Sequence, residues 1–458
     1  MTSAPRPAPA VDRRPRLAAA DVNDALRRLG GRRTVALIVA SGLIVVSAVW
    51  ARHVDVHLGG AAPLLGRLRP RLSLLTVPAF AVAAAGVWAA PTLSRRLPWR
   101  WLLVVTWLMA LCWALALAGA DGAAGVVHPL STPDEYLPDL AHVHGLGGYL
   151  SGFIAHVHDP APGEFLWSTH VSGGPPGPLL IFALLARAGV AGPVWASLLV
   201  VAVGTAAAPA AAYTARHVAG ENTARRAAPF LAFAPMAIWI ATSADALFLG
   251  LSAWGIALLA AAADPPRTRP RRADIAAVLG GLLLGAALYC SYGIAPLGAV
   301  PAAVVLCHRR IRPLLLGAAG VAAIAVAFAA FGFWWWSGLT ATRIRYAESI
   351  AAVRPYGYFL VADVAAFALA IGPAAVAGLA SLPVRSRLWW PIGGALLAVA
   401  VSDLSGLSKG EVERIWLPFA IWLLLATAAL HRTAAHRGWL TAQVALGLLL
   451  QTTLVSNW

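Results

Sequence analysis

The chain has 458 residues, 60% of them hydrophobic and 12% charged, with a mean hydropathy of +0.73. That balance excludes a water-soluble domain, and apolar runs that are continuous rather than alternating exclude a membrane β-barrel. The formal net charge of +16 does not point to nucleic acid, because the arginines sit between apolar runs and on an amino-terminal arm, where they act as topology signals.

The expected fold class is therefore all-α: a polytopic transmembrane helical bundle of about 12–14 spans. Residues 1–33, with Pro5, Pro7, Pro9 and eight arginines, predict a disordered basic cytoplasmic arm rather than a cleaved signal peptide. Three spans follow within 34–119, at 34–50, 72–90 and 101–119. Arg32 and Arg33 place the amino terminus inside, so 120–175 is a long extracytoplasmic loop, acidic and rich in histidine. In agreement, residues 101–186 hold no Lys or Arg but carry Asp121, Asp134, Glu135, Asp139, Asp159 and Glu164. Behind Pro138, the spacing of Leu140, Val143, Leu146, Leu150, Phe153, Ile154 and Val157 predicts an amphipathic helix lying on the outer leaflet.

A transmembrane bundle fills 176–458, with spans expected at 176–190, 193–214, 226–242, 246–263, 274–290, 293–307, 313–336, 359–380, 388–402, 415–430 and 438–455. The basic loop 264–273, with Arg267, Arg269, Arg271 and Arg272, is inside, as are Arg309, Arg310, Arg312, Arg385, Arg387, His431, Arg432 and Arg437. Loops 337–358 and 403–414 are then outside. Two full spans between 176 and 214 would put Arg216, Arg225 and Arg226 outside, out of register with 264–273. Either 176–190 is a half-span in the interface or the count is wrong by one. Cys112, Cys290 and Cys307 lie in or beside apolar runs and form no CxxC pair, so no disulfide framework or thiolate metal site is implied.

The outer surface gathers most of the unusual polar residues: Asp134, Glu135, His170, Asp245, Tyr292, Arg343, Arg345, Glu348, Arg354, Asp403, Lys409, Glu411, Glu413 and Arg414. Charge next to the apolar phase costs several kcal/mol unless it faces a wet cavity or a partner, so such clustering marks a candidate site. The Asp134-Glu135 pair can supply a general base for an acceptor hydroxyl, ligate a divalent ion, or simply cap the following helix. Arg343, Arg345, Arg354, Lys409 and Arg414 either meet a lipid phosphate, whose oxygens guanidinium groups match two at a time, or pair with Glu348, Glu411 and Glu413. Asp245 either caps the next helix or points into a cavity. The pairs His142/His144 and His156/His158 suggest metal ligands, although i and i+2 on a helix diverge by about 200°. Trp334 to Trp336 form an interfacial belt or a sugar-stacking face.

These features resemble the GT-C superfamily of integral membrane glycosyltransferases, and more narrowly actinobacterial integral membrane proteins of that type. The resemblance rests on the acidic outer loop with its interfacial helix, the Pro175-Pro176-Gly177 entry into a span, Asp245 at an outer turn, and the stretch from Ser408 to Phe419. It covers roughly 120–430. It implies transfer of a sugar, with inversion, from a polyprenyl-phosphate donor to an extracytoplasmic glycan, lipid or protein acceptor. Asp134 or Glu135 would be the base, with His170, Asp245, Tyr292, the arginines, Lys409, Glu411 and Glu413 binding substrate. No cofactor motif stands out, and a divalent metal on the carboxylates stays open. A polytopic transporter or lipid flippase, or an inactive GT-C-like protein, is the alternative; a transporter should show interrupted spans with polar residues at mid-depth.

Overall fold

The computed structural model describes residues 19–264, 270–430 and 433–456. It is about 76% helical, and the only strands among the described residues are Arg67–Leu68 and Leu454–Val455, paired antiparallel. In hydrocarbon every backbone N–H and C=O must find a partner within the chain, and helices meet that demand locally. Seven helices are long and apolar enough to cross a membrane: Gly30–Trp50, Leu74–Arg96, Trp99–Ser131, Pro193–Ala219, Asp245–Ala263, Arg312–Ala330 and Tyr356–Ser381. Shorter apolar helices fill Gly177–Arg187, Tyr292–Cys307, Trp389–Ser405 and Leu417–Ala429. By length and composition, then, these helices suit a membrane protein.

Several expected boundaries move. Of the basic arm, residues 1–18 lie outside the described residues, while the first helix already begins at Ala19. Arg267, Arg269, His431 and Arg432 also lie outside the described residues. The run expected to span 313–336 ends at Ala330, and a separate helix, Trp335–Ala347, fills the first half of the expected loop 337–358. Over 138–157 the expected amphipathic helix is broken into Pro138–His142, Leu146–Gly152 and Phe153–His156. Gly145, extended just before Leu146, marks the first interruption, glycine being a poor helix former. Its apolar stripe does not face lipid either: Leu150, Phe153 and Val157 are buried in the protein core.

Side-chain contacts sort the helix ends into two groups. At one end, Arg225 Nη1 donates to the carbonyls of Ser94 (2.8 Å) and Leu97 (2.9 Å), and Arg216 pairs with Glu221. His217 meets Asp264, Arg312 meets Asp274, Arg387 meets Cys307, and His436 meets the Arg226 carbonyl. At the other end, Arg71 joins Asp121 and the Leu454 carbonyl, tying the segment before the second span to the carboxyl terminus. The parity conflict resolves here. Helix Gly177–Arg187 is 11 residues, about 16 Å, too short to cross, and Arg187 Nη2 donates to the His144 carbonyl at 3.3 Å. That length favours the half-span alternative, and Arg225, bonded to the Ser94 and Leu97 carbonyls, lies at the same helix ends as Arg95 and Arg96.

Close approach and breaks are both provided for in the middle of the bundle. A Cβ on Gly281 would collide with the Gly317 backbone, so helices Pro270–Leu288 and Arg312–Ala330 pack backbone to backbone. Gly372 takes φ 77° inside Tyr356–Ser381, a conformation that favours glycine, and frees two backbone groups beside Pro373. The fully buried Gln443 takes both: its Nε2 donates to Ile371 O (2.6 Å) and its Oε1 accepts from Ala374 N (3.0 Å).

Candidate functional site

The end opposite the arginines carries a buried chain of ionisable side chains drawn from segments far apart in sequence. It starts at Glu135, in the loop after Trp99–Ala118, whose Oε1 lies 3.0 Å from His170 Nδ1. His170 Nε2 in turn lies 2.9 Å from Arg414 Nη2. A guanidinium only donates, so Nε2 accepts and the imidazole proton sits on Nδ1, facing Glu135. Arg414 Nη1 donates to Asp245 Oδ2 at 2.6 Å, and Nη2 donates to Glu411 Oε2, also at 2.6 Å. Ser243 Oγ holds the same Asp245 oxygen at 2.7 Å. On the far side, Arg354 Nη1 lies 3.7 Å from Glu411 Oε1.

Local structure explains how each group arrives there. Asp245 opens the helix Asp245–Ala263, but makes no capping bond to it; its carboxylate pairs with Arg414 instead, an arrangement that neither a helix cap nor an open cavity describes. Glu411 has φ 63°, which reverses the chain just before Val412–Ile415 and lets Glu411 and Arg414 meet. His170 is placed by the short helix Thr169–Ser172, and its backbone N–H donates to the Asp134 carbonyl at 2.9 Å.

Burial makes these contacts matter. The side chains of Glu135, Asp245 and Arg414 are only 7%, 9% and 9% exposed. Burial disfavours the Arg414 charge, but Asp245, Glu411 and Glu135 outweigh it and hold the guanidinium firmly protonated. Burial likewise pushes the Glu411 carboxyl up, yet Arg414 and Arg354 beside it bring it below its ordinary range. At Glu413 burial outweighs the backbone hydrogen bonds and the Arg414 charge and pushes the carboxyl up to about 7. Its Oε1 accepts from Leu65 N–H at 3.0 Å. Tyr136, stacked on His170 with ring centroids 6.4 Å apart, is held far above its usual range by burial and by the Glu135 and Asp245 charges.

The structure thus gathers Glu135, His170, Asp245, Arg354, Glu411 and Arg414, with Glu413 alongside. Lys409 and Arg354 are committed to the protein rather than left for a phosphate. Lys409 Nζ donates to Ala351 O (2.8 Å) and Arg354 O (3.2 Å), and Arg354 donates to Lys409 O (2.6 Å) and His57 O (3.3 Å). Ion pairing, not open phosphate contact, therefore describes Arg354 and Arg414. Asp134 is exposed and held by Thr169 Oγ1 at 2.7 Å. Arg343 is exposed and Arg345 half-buried, and among the described residues no hydrogen bond or ion pair engages either guanidinium. Their helix is anchored next to the Asp134 segment, because Thr342 Oγ1 donates to Ser172 O at 3.0 Å. Tyr292 is buried against Trp335, with ring centroids 5.1 Å apart, and its hydroxyl meets Thr342 of the same helix.

Other expectations fall away or were missed. Among the described residues no three His, Cys, Asp or Glu groups come together as a metal site, so the paired histidines do not form one. Instead His142 and His156 lie on Phe165, at centroid distances of 3.9 and 4.0 Å. Asp363, which accepts from Gly410 N–H at 3.1 Å, escaped the sequence reading although a lone carboxylate in the apolar run 359–380 is itself a signal. Tyr136 and Ser243 left no signal beyond adjacency to a flagged acid.

Compared with protein-family models, curated proteins and solved structures, the chain matches none.

Proposed function

We propose that the protein is a membrane glycosyltransferase of GT-C type that moves a sugar, with inversion, from a polyprenyl phosphate to an extracytoplasmic acceptor. The observation that carries this reading is the chain Glu135–His170–Arg414–Asp245/Glu411, which runs from the buried bundle end to the neighbour of the exposed Asp134. Asp134 is the base. Its carboxylate takes the proton of the acceptor hydroxyl as that oxygen attacks the anomeric carbon, and the bond from that carbon to the phosphate oxygen breaks on the opposite face. Polyprenyl phosphate leaves with the bonding electrons. Arg343 and Arg345, whose charges are not spent within the protein, receive it. Glu135 and His170 hold the Asp134 loop in place rather than touch substrate.

The positive-inside tendency supports placing the arginine-rich end and the amino terminus in the cytoplasm, and the acidic end outside a cell membrane. A transporter reading has less support. The break at Gly372 is closed by Gln443, which bonds both the Ile371 carbonyl and the Ala374 N–H. The test is release of polyprenyl phosphate from a panel of polyprenyl-phospho-sugars, with acceptor extract present, by wild type and Glu135→Gln. Release by wild type that is strongly reduced in the variant is expected. No release from any donor overturns the reading.

A further inference from the structure

Near the candidate base the loop builds a rigid aromatic stack that the proposed chemistry does not use. Phe165 is parallel to His142 within 10° and to His156 within 9°, at 3.9 and 4.0 Å. Two rings that close to one phenyl ring occupy its opposite faces. Trp167 meets all of these rings edge-on and is itself fixed, its Nε1 donating to Phe153 O at 2.9 Å. The column is therefore anchored in the core from below. His156 is mostly covered, its Nδ1 bonded to Phe165 O at 3.0 Å, whereas His142 is exposed. With Phe165 on one face of His142, its exposure comes from the other face and the ring edge.

We propose that the open face of His142, backed by Phe165, is a stacking shelf for a pyranose or furanose ring, and that the acceptor of the transfer is consequently a saccharide. This rests on the transferase reading. Sugars present a flat patch of C–H groups that packs on an aromatic ring, ringed by hydroxyls that need hydrogen-bond partners. The half-exposed Glu164 carboxylate, 3.7 Å from His156 Nδ1, stands beside the stack to take one. The shelf is also within reach of the reaction. Phe165 and Thr169, the residue that holds Asp134, are four positions apart, at most about 14 Å even if fully extended. That is a span of one or two sugar units. The two approaches differ in chemistry: the flank carrying Arg343 also exposes Trp334 and Trp336, at 53% and 61%, and suits a lipid-borne donor, while the His142 flank suits a water-borne glycan.

The test needs no donor. Saturation-transfer NMR on the full-length protein in detergent reads binding of methyl pyranosides, methyl furanosides and their disaccharides to wild type, His142→Ala and Phe165→Leu. His142 is exposed and Phe165→Leu keeps apolar volume, so both variants should fold, as thermal melting will verify. At least one glycoside is expected to bind wild type, with a loss of tenfold or more in each variant. No binding by wild type, or binding unchanged in His142→Ala, overturns the shelf. Glycoside binding that depends on His142 while no donor releases polyprenyl phosphate sinks the transferase reading alone.

Discussion

The two ends of the bundle both carry charge, but they use it differently. At the arginine-rich end the ion pairs are partly wet: Arg312 reaches Asp274 with its side chain 74% exposed, and Arg225 pairs with a Glu221 that is 34% exposed. At the other end Arg414 and Asp245 meet with both side chains 9% exposed, across 169 residues of sequence. Exposed ion pairs contribute little, whereas removing one member of a buried pair leaves its partner uncompensated. One end spends its charge at the surface; the other buries it.

The largest effect expected from this contrast is Arg414→Ala, which strands Asp245 and Glu411. It should cost about 3–5 kcal/mol, read as a large drop in melting temperature or loss of folded protein in detergent. Arg414→Lys, which keeps charge without the two-pronged geometry, should recover part of that loss. A smaller effect follows from Glu413. Its carboxyl is held at about 7 when folded, above the ordinary value of 4.5, so the folded state binds the proton more tightly. Stability should fall as pH rises from about 4.5 to 7 and level off above, by about 3 kcal/mol in all. Glu413→Gln should flatten that slope; an unchanged slope would place its origin elsewhere. Smaller still, Arg343→Ala should weaken donor binding about tenfold, the worth of one charge-assisted hydrogen bond, with no change in melting temperature. Arg312→Ala at the other end should alter neither stability nor binding measurably.

Much of the acidic end was legible in the sequence, because charge beside apolar runs is costly and therefore conspicuous. Glu135, His170, Asp245, Arg354, Glu411 and Arg414 were all flagged one by one. What the sequence did not disclose is their partnership: Arg354 and Arg414 read as phosphate ligands until Glu411 and Asp245 are seen to occupy them. The helices were legible for the same reason, long apolar runs leaving the backbone no other choice. Their interruptions were less so. The stripe from Leu140 to Val157 has helical spacing, but glycines break it and the protein core, not lipid, takes its apolar face. Periodicity reports which residues seek burial without saying what will bury them. The half-span at Gly177–Arg187 needed the Arg187 contact with His144 to be settled.

The most direct measurement compares the two ends in one assay: polyprenyl phosphate released by Asp134→Asn and by Arg387→Ala, each against wild type in reconstituted membranes. General-base catalysis of this kind is worth about 10²–10⁴ in rate. Release should fall by that order in Asp134→Asn and stay at the wild-type level in Arg387→Ala. Equal release by wild type and Asp134→Asn would contradict the account.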